Sequence, residues 1–120
     1  MRVELCRKYN FSAAHYLPNA PEGHRCRRLH GHSYEIEVAL RGEVDPHSGW
    51  LIDYADIDSQ VKPIVAELDH RTLNEVQGLE NATSEVLSRW IWERLCDPLP
   101  GLHRISVAES GTAVCHYLGD

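Results

Sequence analysis

Three histidines are spaced as metal ligands are. His30 and His32 flank Gly31, and in a strand residues two apart face the same way, about 6.6 Å apart, so both imidazoles can converge on one ion. His15 closes the preceding alternating segment. Three neutral imidazoles suit Zn2+, the alternative being ordinary core or surface histidines. Cys26 stands four residues before His30, among Arg25, Arg27 and Arg28, whose charge favours a thiolate. Three roles are open to it: fourth ligand of a closed structural site, base or nucleophile beside an open metal position, or inert buried thiol. Glu109 falls in phase with Ile105 and Val107, which puts a carboxylate on the apolar side of its segment. A ligand offering two N–H donors would satisfy it, as would an arginine. Asp69 and His70 are adjacent, and neighbours in an extended chain point apart, so adjacency alone does not make a proton relay.

These residues need strands to aim them. From Val3 to Tyr16 apolar residues favour odd positions (Val3, Leu5, Tyr9, Phe11, Ala13), and from His32 to Val44 even ones (Tyr34, Ile36, Val38, Leu40). Hairpin pairing of the two phases sets His15 and His32 on one apolar face, at the end where a long loop, Leu17 to Gly31, joins the strands. After a turn at Asp45 to Gly49, Asp53 can cap a helix with the stripe Ile57, Val61, Ile64, Val65 and Leu68. Pro63 should kink that helix or mark a late start. Thr83-Ser84-Glu85 opens a second helix with the stripe Val86, Leu87, Trp90, Ile91 and Leu95, closed near Asp97-Pro98. Short strands follow at Arg104 to Glu109 and Thr112 to Leu118. The expectation is an α+β fold, one domain over residues 1–120, with two helices on one face of a four-stranded antiparallel sheet. The opposite face carries Glu4, Lys8, Glu35, Glu37 and Arg41 and must meet water or another subunit. Unpaired edges in so small a sheet invite a cyclic oligomer. Trp50, Trp90 and Trp92 are expected to pack, and His24, His47, His103 and His116 have no assigned task.

Composition narrows the function. Of 120 residues 42% are hydrophobic and 25% charged, which excludes a disordered or fibrous chain. Neither a signal-like nor a membrane-length apolar run is present, so the expectation is a soluble cytoplasmic protein with no membrane partner and four free cysteines. Twelve basic against eighteen acidic residues give a formal charge of -6, which argues against nucleic acid. An anionic ligand needs a local field, and the arginine cluster is the dense one. In an extended loop Arg25 and Arg27 share a side and Arg28 points away, so the first two are candidate substrate contacts; a merely solvated loop is the alternative.

His15, Cys26-Arg27-Arg28-Leu29-His30-Gly31-His32, Gly49-Trp50-Leu51-Ile52-Asp53, Leu68-Asp69-His70, Asn81-Ala82-Thr83-Ser84-Glu85 and Glu109 resemble, in order along nearly the whole chain, the 6-pyruvoyl-tetrahydropterin synthase family. The likeness is greatest to its bacterial queuosine-pathway branch. The resemblance implies the tunnelling fold, whose trimers close a twelve-stranded barrel and stack as a homohexamer with sites between subunits. It implies zinc on His15, His30 and His32, Cys26 as base, Asp69 and His70 as relay partners, and Glu109 as anchor of the pterin ring. The implied substrate is 7,8-dihydroneopterin triphosphate, converted to 6-carboxy-5,6,7,8-tetrahydropterin with loss of acetaldehyde and triphosphate. The 6-pyruvoyl product of the eukaryotic branch and a noncatalytic zinc-binding module are the alternatives. Gly111 stands where some relatives carry cysteine.

Overall fold

A computed structural model describes all 120 residues. The alternating segments form two long strands, β1 (Arg2–His15) and β2 (His30–Glu43). They pair antiparallel with Phe11 opposite Tyr34, Ala13 opposite His32 and His15 opposite His30. Odd positions of β1 therefore share a face with even positions of β2, and the two apolar phases coincide. β3 (Leu102–Ser110) adds to β2, and β4 (Ala113–Tyr117) to β3, in the order β1-β2-β3-β4. A register shift between Ala39 and Leu40 lets Val38, Ala39 and Leu40 all be buried, against the strict alternation of the rest of β2.

Helix α1 (Tyr54–Leu68) lies over β1 and α2 (Ser84–Leu95) over β3 and β4. Each starts on a side-chain cap: Asp53 Oδ1 accepts the Ala55 N–H at 2.9 Å, and Thr83 Oγ1 accepts that of Val86 at 3.1 Å. Pro63 sits inside α1 on its exposed side and does not delay the helix start. Ile57, Val61, Ile64 and Leu68 from α1, with Leu87, Trp90, Ile91 and Leu95 from α2, bury against Tyr9, Phe11, Tyr34, Ile36, Ile105 and Val107. Each such side chain contributes roughly 1.5 to 3 kcal/mol on leaving water. Trp50 departs from the expectation of packing: it is 52% exposed on the turn before α1.

Arg7, an odd-phase residue of β1, meets Asp58 of α1 through two N–H···O bonds of 3.1 and 3.0 Å, and the Tyr9 hydroxyl donates to the same carboxylate at 2.6 Å. The other face is polar, as the alternation requires. Arg41 pairs with Glu4 at 2.8 Å, Lys8 with Glu35 at 3.7 Å, and Arg104 with Glu37 at 2.9 Å. No helix is long and apolar enough to cross a membrane.

Candidate active site

At the end of the β1–β2 hairpin the register brings His15, His30 and His32 together, and their ligand nitrogens lie within 4.8 Å of one another. Hydrogen bonds settle two tautomers. His15 Nδ1 is 2.7 Å from the Ala82 carbonyl and His30 Nδ1 is 2.7 Å from the Arg28 carbonyl. A carbonyl only accepts, so both Nδ1 atoms carry the proton and each Nε2 presents its lone pair. Histidine ligands of metals are commonly oriented in this way through the second nitrogen. His15 and His32 Nε2 are 3.1 Å apart, close to the roughly 3.4 Å edge of a tetrahedron with 2.1 Å metal–nitrogen bonds. His15 is 1% exposed, and burial pushes its imidazole below the ordinary value, toward the neutral form a ligand needs. The donor set thus fits a tetrahedral cation held by three nitrogens with one position open.

Cys26 reaches this place through a local turn rather than an extended loop. Residues Arg25–Arg27 form a 3₁₀ turn whose first amides are capped by His24: its Nδ1 accepts the Cys26 N–H at 3.1 Å. The Cys26 carbonyl accepts from Leu17 N–H at 2.7 Å, tying the turn to the end of β1. A cavity of about 380 Å³ is lined by the three histidines, Arg25, Cys26, Leu17 and Glu109. The cluster of metal-ligand atoms comprises the histidines alone, with Cys26 among the residues of the cavity wall. The expected common side of Arg25 and Arg27 is corrected, because a 3₁₀ turn rotates positions two apart away from each other. Arg25 lines the cavity, whereas Arg27 directs Nη1 to the Ala20 carbonyl at 3.4 Å. His24, which carries no signal in the sequence beyond its histidine side chain, is a residue the spacing argument missed.

Glu109 enters from β3, half-buried, with no arginine on it. Ser84 Oγ, in the first turn of α2, donates to Oε1 at 3.0 Å. Its carboxylate oxygens stand 3.9 Å from His15 Nε2 and 3.7 Å from His32 Nε2. A carboxylate at the cavity wall with free acceptor capacity can take two parallel N–H donors from a ligand. Beneath it lies Tyr34, whose buried hydroxyl has no partner; burial, reinforced by the Glu109 charge, pushes its phenol up.

Asp69 and His70 are not in this cavity. Segment 69–72 runs along the free edge of β1: His70 N–H donates to Ser12 O at 2.6 Å, Ala14 N–H to Arg71 O at 2.9 Å, and Asp69 Oδ1 accepts from Ser12 N–H at 3.0 Å. His70 has φ 59°, in the left-handed region. That turn swings its ring back, so Nδ1 lies 3.0 Å from Asp69 Oδ1, and neighbours that an extended chain would part form a pair. The Ser12 amide and the His70 ring hold the Asp69 carboxyl below its ordinary value. The His70 side chain is 80% exposed and lines a second cavity with Ser12, Ala14, Gly31 and Ser33. Asn74, also absent from the sequence-based expectations, pins the next turn by accepting the Tyr16 N–H and donating to the Tyr16 and Glu80 carbonyls.

Residues 4–120 match the family described as 6-pyruvoyl tetrahydropterin synthase. A 6-carboxy-5,6,7,8-tetrahydropterin synthase of Synechocystis is 37% identical over 94% of this chain and 91% of its own. A dihydroneopterin monophosphate aldolase of Pyrococcus furiosus is 35% identical over 91% of each. The Caenorhabditis elegans 6-pyruvoyl tetrahydropterin synthase structure superposes with a TM-score of 0.92 at 29% identity, covering all of this chain and 97% of that one. With the family matched from Glu4 to the last residue and the hairpin, helices and three-histidine cluster all in place, the chain belongs to the 6-pyruvoyl tetrahydropterin synthase family.

Proposed function

We propose that this chain converts 7,8-dihydroneopterin triphosphate to 6-carboxy-5,6,7,8-tetrahydropterin, releasing acetaldehyde and triphosphate, as a cytoplasmic step toward queuosine. The observation that carries the reading is the single cavity in which three histidines, a cysteine, a carboxylate and an arginine meet. The resemblance to the Synechocystis synthase, at 37% identity, supports the 6-carboxy product within the family.

Each residue has a task that its position supports. His15, His30 and His32 hold zinc, which when bound polarises the substrate's side-chain hydroxyls as a Lewis acid. Glu109 takes the pterin through its ring N–H and amino group, with Ser84 fixing one of its oxygens. Cys26, set in the wall by the His24 cap, removes a proton from the side chain. His70, oriented by Asp69, handles a second proton and, since it opens on the edge of β1, does so in the site of a neighbouring subunit. Arg25 provides the positive field for the triphosphate in a chain of net charge -6, and Arg27, turned toward the Ala20 carbonyl, adds to it from outside the cavity.

Mass spectrometry of the products, after incubating the zinc-loaded protein with 7,8-dihydroneopterin triphosphate, tests the proposal. The expected products are the 6-carboxy pterin and acetaldehyde. Accumulation of a 6-pyruvoyl pterin, turnover confined to dihydroneopterin monophosphate, or bound zinc with no turnover would each overturn it.

A further inference from the structure

The three imidazoles are not oriented by the same means. His15 and His30 each donate Nδ1–H to a backbone carbonyl, at 2.7 Å in both cases, which fixes their ring planes. His32 makes no such bond; its one hydrogen-bond contact is Nε2 to His15 Nε2. A ring free to turn about its χ2 angle would carry Nε2 away from the shared position. The other two imidazoles, which meet it edge to face at 5.0 Å each, belong to the same cluster; the restraint from outside the cluster is Tyr34, two residues further on the same face of β2 and 1% exposed. The Tyr34 ring meets His32 edge to face at 5.5 Å and 79°, and meets His15 at 5.9 Å and 85°. Phe11, directly across the ladder, stacks on the far side of Tyr34 at 5.0 Å and 12°. Edge-to-face contacts of this kind favour one relative ring orientation.

We propose that Tyr34 is a positioning residue of the metal centre: its ring, backed by Phe11, takes the place of the missing carbonyl partner and holds His32 at its spacing from His15. The hydroxyl does not share in this task. It is the one buried side-chain polar atom of the protein without a hydrogen-bond partner, and a buried unpaired hydroxyl opposes folding rather than helping it. The ring must therefore be what the site uses. Phenylalanine can do the work of Tyr34 and an aliphatic side chain cannot.

The inference rests on the reading that the three histidines hold a divalent metal, and the test separates the two. Zn2+ affinity is measured by chelator competition, and the Co2+ form is examined by its visible d–d spectrum, for wild type, Tyr34→Phe, Tyr34→Leu and Ile36→Val. Ile36 is equally buried on the same face of β2 and controls for loss of packing. Tyr34→Phe is expected to keep wild-type affinity and spectrum. Tyr34→Leu is expected to lose about 10- to 100-fold in affinity, the usual cost of removing an outer-shell support, with an altered spectrum, while Ile36→Val keeps both. Should Tyr34→Leu not fold, Phe11→Leu removes only the backing ring and is expected to weaken metal binding several-fold in the same direction. Retained affinity and spectrum in the leucine variants, or equal loss in Tyr34→Phe, would overturn the role of the ring. A wild-type protein that binds neither ion would overturn the metal reading instead.

Discussion

At the residue scale the division of labour in the cavity makes separable demands. If Cys26 moves a proton and does not hold the metal, Cys26→Ala keeps its zinc and its assembly and loses about 10²- to 10⁴-fold in turnover, the usual contribution of a general acid or base. Metal analysis and steady-state rates on one preparation check this; loss of zinc along with activity contradicts it. If Glu109 anchors the pterin, Glu109→Gln replaces one acceptor with a donor facing its N–H groups. The expected loss in substrate binding is about 1.5 to 3 kcal/mol, that of a charged hydrogen bond, with zinc content unchanged; isothermal titration measures it. The clustering of the three histidines was legible in the sequence because a strand has a period of two, so the phases of His15 and His32 could be compared from the alternation alone. The contact between Asp69 and His70 was not, because it depends on a left-handed backbone at a histidine, where no glycine signals it. His24 was equally silent: its capping role exists only once the loop has turned.

At the element scale the hairpin and both helices follow from alternation, stripes and caps, and the fastening of α1 to β1 does not. Arg7 sits in the apolar phase of β1, where a charged residue carries no helical or strand signal, and its reason is Asp58 across the gap. Arg7 and the Tyr9 hydroxyl pull the Asp58 carboxyl down to about 2. A depressed carboxylate contributes stability that is complete above its ordinary value near 4 and is lost as pH falls toward 2. Thermal melts should therefore show Asp58→Asn less stable than wild type at neutral pH, with the difference shrinking steadily between about pH 4 and pH 2. A gap that stays constant with pH contradicts the assignment. The 3₁₀ turn at Arg25–Arg27 carries its own expectation. Arg25→Ala should weaken the salt-dependent binding of the triphosphate substrate while sparing the same pterin without phosphates, and Arg27→Ala, turned toward Ala20, should do so less. Competition binding at two salt concentrations measures both.

At the scale of the whole molecule the chain is long for its size. Its extents are 57 × 24 × 23 Å and its radius of gyration is 15.6 Å, against about 13.6 Å for a compact chain of this length. The excess lies in the long β1–β2 hairpin, whose free edge is covered only at its end by segment 69–72. Along the rest of β1, and along β4, the edge amides have no partner within the chain, and closure of the sheets by symmetry would satisfy them. The open edges lead us to expect a cyclic oligomer, and the family resemblance implies that it is a hexamer of two stacked twelve-stranded rings, to be read by analytical ultracentrifugation. In that assembly Cys26 of one copy and His70 of the next would share a site. Cys26→Ala and His70→Ala subunits, each inactive alone, should then recover turnover when co-assembled. Whether such an assembly is an enzyme or a scaffold turns on the metal position at the hairpin end. Zinc X-ray absorption reads that position most directly. The account predicts nitrogen and oxygen scatterers alone, near 2.0 to 2.1 Å; a sulfur scatterer near 2.3 Å would bring Cys26 onto the metal, close the site and contradict it.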